Sequence, residues 1–258
     1  MARRIAVANQ KGGVGKTTTS VNLAAALAAD GVRTLLIDLD PQGNATMGSG
    51  VDKNDLTASA YDWLVDDEPF ERVVRRSSGE FSLVPANSDL TAAEVALLAA
   101  EDRSMRLRRR LDAAPAFDFV IMDCPPSLNV LTLNALMASD GVLVPMQCEY
   151  YALEGLTALL LTIRGVRQRG NPGLAIEGIL RTMYDPRNTL SRDVSRQLMA
   201  YFGQEVFRTV VPRNVRLAEA PSHGLPATVY DPRCRGALAY RALAGELRSR
   251  TSGRQDSA

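Results

Sequence analysis

The sequence predicts an α/β fold: one doubly wound, mostly parallel sheet flanked by helices. Three observations carry this. Short apolar runs alternate with longer stretches of helical period along the whole chain. The 258 residues are 46% hydrophobic, enough to fill one large core. Glycines or aspartates follow directly on several of the apolar runs, where an open parallel sheet places its ligand sites.

The elements follow in order. "RIAVAN" (4–9) reads as the first strand and passes through a glycine-rich turn into a helical period over 17–29. "RTLLIDLD" (33–40) is a strand ending in two aspartates. "FSLVPA" (81–86) precedes a helical stretch over 90–111, and "FDFVIMD" (117–123) precedes one over 128–138. "GVLVPM" (141–146) leads to a helix over 152–169, "LAIEGILRTMY" (174–184) to one over 191–202, and "RTVVP" (208–212), after a loop, to one over 235–249. No repeat or linker divides the chain. A single domain is expected over 1–250, with "TSGRQDSA" (251–258) as a disordered tail.

Composition excludes several classes. No run of 18 apolar residues is present, and "MARR" leads straight into a strand without an apolar leader, so a soluble cytoplasmic protein is expected. Cys124, Cys148 and Cys234 form no CxxC pair and read as buried reduced thiols. The net charge of +1 hides a split. Residues 1–150 carry 14 basic and 20 acidic side chains, whereas 151–258 carry 16 and 9, and every basic residue of that second part is arginine. Such a half suggests a local polyanion-binding surface.

The strongest motif is "NQKGGVGKTTT" (9–19). A strand, then glycines, then Lys-Thr opening a helix, aims backbone N–H groups and a helix N-terminus at an anion. Lys16 is expected to reach the β- and γ-phosphates of a nucleotide and the Thr17 hydroxyl to ligate Mg²⁺. The ordinary G-x-x-x-x-G-K-[ST] pattern fails at one place, because Gln10 stands where its first glycine belongs. An apolar strand ending in aspartate, as "FVIMD" does at Asp123, is the pattern that holds Mg²⁺ through a water.

"KGGVGKTT" resembles the deviant phosphate loop of the ParA/MinD class of P-loop ATPases, in which a lysine precedes the paired glycines. The resemblance runs from about residue 4 to 249. It implies that Lys11, Gly12, Gly13, Val14, Gly15, Lys16, Thr17 and Thr18 bind ATP. It implies further that Lys11 crosses a dimer interface to the phosphates bound by the other subunit, supplying charge in trans as an arginine finger does. "DLDPQGNAT" resembles the switch I segment of the class, so that Asp40 orients the attacking water and Asp38 assists Asp123 and Thr17 around Mg²⁺. Lys11, Lys16 and Asp40 are thus the implied catalytic residues.

"VPRNVRLAEAPSHG" (211–224) is similar to the chromosomal ParA type called Soj, which places Pro212 and Asn214 beside the adenine. "RTMYDPRNTLS" (181–191) is similar too, and the DNA-contacting arginines of the family map onto Arg187 and Arg216. Binding to double-stranded DNA is expected to be independent of sequence, since no helix-turn-helix reader is recognisable. "RSMRLRRRLD" (103–112) lies among acids and reads as a solvated helix face, and His223 receives no catalytic role. The implied protein is a nucleoid-associated partition ATPase. Its ATP-bound homodimer holds DNA, and hydrolysis, stimulated by a ParB-like centromere-binding partner, releases it.

Three other readings stand beside this one. A MinD-like membrane-cycling ATPase would end in a basic amphipathic helix, whereas "GALAYRALAGELRSR" has small apolar residues suited to packing on the sheet; stable membrane association is not expected. An iron–sulfur carrier like the nitrogenase iron protein would need a second motif cysteine beside Cys124. An amidoligase of cofactor synthesis would need a further substrate domain.

Overall fold

The computed structural model describes residues 2–150 and 152–255. Eight strands form one sheet: β1 (Arg3–Val7), β2 (Thr34–Asp38), β3 (Arg75–Arg76), β4 (Ser82–Val84), β5 (Phe119–Asp123), β6 (Gly141–Gln147), β7 (Ala175–Tyr184) and β8 (Val206–Pro212). Their spatial order is β3-β4-β2-β5-β1-β6-β7-β8, and every pairing is parallel except β3 with β4. β1 lies between β5 and β6, so the loop that leaves β1 emerges among the carboxyl ends of the central strands.

The central strands are buried on both faces and alternate between two cores, which is why they read as unbroken apolar runs. Ile5, Val7, Leu36, Ile121 and Leu143 face one side. There they pack with α1 (Lys16–Ala29) and α12 (Arg235–Gln255), with α2 (Asn44–Gly48), α10 (Val215–Glu219) and α11 (Ala227–Tyr230) around them. Ala6, Leu35, Ile37, Val120, Met122, Val142 and Val144 face the other. That layer holds α3 (Ala60–Leu64), α4 (Phe70–Val73), α5 (Leu90–Ala99), α6 (Arg106–Ala113), α7 (Val130–Ala138), α8 (Ala152–Arg169) and α9 (Thr189–Phe202). None of the helices, among the described residues, is long and apolar enough to cross a membrane.

The expected fold class is the observed one, and local expectations differ at four places. The helical stretch 90–111 is two helices, because buried Asn134 donates to the Arg103 carbonyl (2.6 Å) and accepts from Leu107 N (3.1 Å), fixing a break between them. β3 and the short helices α2 to α4 span too few residues to show a period. The last helix continues past the expected start of the tail, to Gln255, with Thr251 Oγ1 bonded to the Leu247 carbonyl and Ser252 Oγ to that of Arg248. Residues 256–258 of that tail lie outside the described residues. Cys124 and Cys148 are buried thiols, while Cys234 is only half-buried. The basic face at 103–112 is indeed ion-paired, with Arg106 and Arg109 on Asp102 and Arg106 and Arg110 on Asp67.

Candidate functional site

The loop after β1 is held open by its own sequence. Asn9 donates to the Pro145 carbonyl of β6 (2.8 Å) and accepts from Lys11 N (3.0 Å), anchoring the loop entrance. Thr182 of β7 donates to the Val14 carbonyl (2.7 Å) and anchors its exit. Gly13 and Gly15 have φ of 72° and 87°, left-handed values that a side chain would strain. A Cβ at Gly12 or Gly13 would meet nothing within 4 Å, so both glycines border open space. The backbone N–H groups of Gly12, Gly13, Gly15, Lys16, Thr17 and Thr18 have no acceptor among the described residues. These six residues line an open cleft, and their donors form a site for an anion.

That cleft has a volume of about 630 Å³ and is lined by Gly12, Gly13, Gly15, Lys16, Thr17, Thr18, Asp40, Glu94 and Pro125, among others. Lys16 is buried, and its ammonium donates to the Lys11 carbonyl (3.1 Å). Burial lowers its pKa, and the charges of Asp123, Cys124 and Asp40 oppose that shift.

Two carboxylates meet at the carboxyl ends of β2 and β5, because these strands run parallel and in register and pair Asp38 with Asp123. Both are fully buried. Asp38 is spoken for: Thr46 donates to its Oδ2 through both N and Oγ1 (2.8 Å each), and Asp40 N donates to its Oδ1 (3.1 Å). It anchors the segment between β2 and α2 on which Asp40 rides. Asp123 is only half satisfied. Its Oδ1 accepts from Ser20 Oγ (2.8 Å), while its Oδ2 is buried without a hydrogen-bond partner.

Burial raises the pKa of both acids; for Asp123 the Asp38 charge adds to the rise, while the hydroxyls of Ser20 and Thr17 oppose it. A buried carboxylate oxygen with no donor, a second acid beside it and a hydroxyl close by fit a hard cation. Among the described residues no three His, Cys, Asp or Glu side chains cluster as a metal site. The remaining ligands would therefore come from water or from the bound anion.

Asp40 is half-buried at the cleft, its Oδ1 accepting from Gln42 N (3.0 Å). Gly43 closes that turn at φ 61°, and a Cβ there would stand 2.6 Å from the Ala86 carbonyl. Lys11 does not line the cleft. Its side chain is 41% exposed, and its ammonium pairs with Glu149 Oε2 at 2.5 Å, just beyond β6.

A smaller pocket of about 290 Å³ adjoins the loop at Gly15 and Thr18. Thr182, Met183, Val211, Pro212, Asn214, Leu217 and Tyr240 line it, a mostly apolar wall suited to a flat heterocycle. Asn214 also caps α10, its Oδ1 accepting from Arg216 N (2.9 Å). Met183 takes a φ of 48°, a strained value for a side-chain-bearing residue, where β7 meets this pocket.

Neither Arg187 nor Arg216 lines the cleft; Arg187 is on the loop after β7 and Arg216 in the first turn of α10, just after β8. Arg187 is 89% exposed and forks onto Asp185 (2.9 and 3.0 Å). Arg216 pairs with Glu219 (2.7 Å) and Asp231 (3.4 Å).

Asn9, Ser20, Thr46 and Glu149 have no motif that marks their roles in the sequence. Ser20 had a signal, since it stands one helical turn after Lys16 and so on the same face. The other three are single polar residues whose meaning depends on partners far along the chain.

A family model described as an AAA domain matches residues 2–176. The sporulation initiation inhibitor protein Soj of Bacillus subtilis is 52% identical over 249 residues, covering 96% of this chain and 98% of that protein. The chromosome partitioning protein ParA of Caulobacter vibrioides is 49% identical over 257 residues, covering 98% and 96%. Among solved structures, the cobyrinic acid a,c-diamide synthase of Mycobacterium smegmatis with bound ADP and magnesium superposes with a TM-score of 0.86 at 42% identity. It covers 98% of this chain and 97% of its own.

Proposed function

The chain belongs to the ParA/Soj family of chromosome-partitioning ATPases, and from that premise we propose that it binds ATP with Mg²⁺ in the cleft and works as a nucleotide-dependent DNA-partitioning dimer. One observation carries the reading. Six residues with acceptor-free N–H groups line the cleft, and behind the loop that carries them Asp123, bonded to Ser20 of α1, keeps a buried carboxylate oxygen without a partner. The first set takes the negative charge of phosphates and the second takes a cation, which is the charge pattern of a magnesium nucleotide.

In this reading the N–H groups from Gly12 to Thr18 hold the phosphates, and Lys16 trades its bond to the Lys11 carbonyl for a phosphate oxygen. Thr17 and Asp123, with Asp38 behind them, hold Mg²⁺, which when bound neutralises charge between the β- and γ-phosphates. Asp40 orients the attacking water, its position set by the Asp38 to Thr46 bonds. Pro212 and Asn214 border the base in the smaller pocket. Lys11 leaves Glu149 and serves the ATP of a second copy of the chain. Arg187 and Arg216 exchange their acids for phosphates of double-stranded DNA, and a ParB-like protein stimulates hydrolysis. The working location is the nucleoid, without stable attachment to membrane.

The test compares wild type with Lys11→Ala. Wild type should double in mass with ATP in light scattering, retain DNA only with ATP, and turn over faster with its ParB-like partner. Lys11→Ala should still bind ATP and lose the stimulated turnover. Retention on liposomes but not on DNA would transfer the assignment to a MinD-like cycle. Turnover that rises with cobyrinic acid and ignores DNA would transfer it to the activity for which the mycobacterial structure is named.

A further inference from the structure

Arg187 and Arg216 arrive at the polyanion surface already paired with acids of their own chain, which sets up a competition. A phosphate must displace Asp185 to reach Arg187, and Glu219 and Asp231 to reach Arg216. A third arginine stands close by, one residue past β8 and three before Arg216. β7 and β8 are parallel, and Tyr184 stands in register with Pro212, so Asp185 and Arg213 are the next residues off two neighbouring strands. The turn carrying Arg187 and the turn carrying Arg213 and Arg216 therefore rise side by side from one edge of the sheet. Arg213 is exposed. Among the described residues it makes no ion pair and no side-chain hydrogen bond.

Resting on the partition-ATPase reading, we infer that Arg213 is a backbone-phosphate contact of the DNA surface, alongside Arg187 and Arg216, and that it engages without first breaking an internal ion pair. Three consequences follow from electrostatics alone. The guanidinium, free and exposed, meets the incoming polyanion first, whereas its paired neighbours contribute only after their acids are displaced. The hydrogen bonds of Arg187, followed by the charges of Arg187 and Arg213, hold the Asp185 carboxyl down to about 2, consistent with both arginines acting on one acid. And because Arg213 lies between Pro212 and Asn214 on the rim of the smaller pocket, the base pocket and this surface share one short loop. Filling that pocket can therefore set the loop on which the arginine sits.

The experiment measures retention of a random double-stranded DNA by full-length wild type, Arg213→Ala, Arg213→Lys and Arg187→Ala from 50 to 300 mM salt. Each is held at an ATP concentration that saturates it, as determined separately by ATP binding. One phosphate contact contributes about 0.9 to the slope of log affinity against log salt, or about eightfold in affinity at 0.1 M. Arg213→Ala should lose at least that factor and that slope, and Arg213→Lys, which keeps the charge, should recover most of both. Wild-type affinity and slope in Arg213→Ala, alongside a loss in Arg187→Ala, would overturn the inference and leave the wider reading standing. A raised requirement for ATP with unchanged DNA affinity at saturation would also overturn it, by making Arg213 a nucleotide residue. Wild type that dimerises with ATP yet binds no DNA would take down both.

Discussion

Thr46 is a single side chain on which the switch-like segment after β2 hangs, and replacing it with valine isolates that role. Valine has nearly the same shape, so no cavity forms and no overpacking follows. The hydroxyl it removes does two things: Oγ1 donates to Asp38 Oδ2 at 2.8 Å and accepts from Ala86 N at 2.8 Å. All three residues of this knot, Thr46, Asp38 and Ala86, are fully buried. Losing a donor to a buried carboxylate costs about 1.5 to 3 kcal/mol, and orphaning the Ala86 N–H costs about 1 to 3 kcal/mol more. The lower part of the combined range, roughly 3 to 4 kcal/mol, is expected because Thr46 N still holds Asp38. For a chain of this size that is a fall of about 2 to 4 °C per kcal/mol in Tm, and a large fraction of the whole stability. Urea unfolding without nucleotide reads it directly. Thr46→Ser keeps the hydroxyl and should lie within about 1 kcal/mol of wild type, the worth of one buried methyl. A Thr46→Val protein within about 1 kcal/mol of wild type would show that Asp38 is not anchored by this bond, and the account of how Asp40 is positioned would fall with it.

The other predictions touch separate parts of the molecule. Glu149→Gln frees Lys11 from an exposed ion pair worth at most about 1 kcal/mol in each of the two copies, so ATP-dependent dimerisation should shift to a protein concentration up to about 30-fold lower; analytical ultracentrifugation reads the shift, and movement the other way would mean the pair assists the dimer. Asp40→Ala should bind ATP, fail to turn it over and persist as a dimer in light scattering, whereas a variant that hydrolyses ATP normally would remove Asp40 from the chemistry. Burial pushes the Glu246 carboxyl up, but the N–H groups of Thr209 and Arg208, the Thr209 hydroxyl and Arg250 outweigh it and hold the pKa below the usual carboxylate range. A depressed folded pKa stabilises above the unfolded value and is lost as pH falls through the folded one. The stability gap between wild type and Glu246→Gln should therefore shrink as pH drops below roughly 4, and a constant gap would refute the shift.

The sheet was legible because parallel strands buried on both sides must be apolar at every position, and "TLLID", "FVIMD" and "VLVPM" leave little else to consider. The phosphate loop was legible for another reason: all of its glycines and both lysines are contiguous, so local order alone carries it. What stayed hidden is what depends on contacts distant in sequence. Asn134 divides a continuous helical pattern from about 30 residues downstream, and no window over 90–111 contains it. Glu149 lies 138 residues from Lys11, and Ser20 lies 103 from Asp123. Thr46 looked like one more small polar residue of a loop. Its importance comes from a carboxylate eight positions earlier, whose own burial is set by strands on either side. Asp38 adds a contact that its strand-end position does not announce: its oxygens accept from Asp40 N and from Thr46.

The in-register pairing of Asp38 with Asp123 also limits how this chain can change length. Parallel partners point to the same face only while the two strands keep step, and one residue inserted into β2 or β5 would turn the following aspartate through the sheet into the opposite core. A charged group would then lie among Val120, Met122 and their neighbours with nothing to answer it. Deletions and insertions should thus be barred from two five-residue stretches, while the connection from α2 to β4, 33 residues (49–81) built of short pieces, can lengthen or shorten with modest effect. A scan of single-residue insertions would draw that boundary along the chain, with the sharpest intolerance ending at residues 38 and 123.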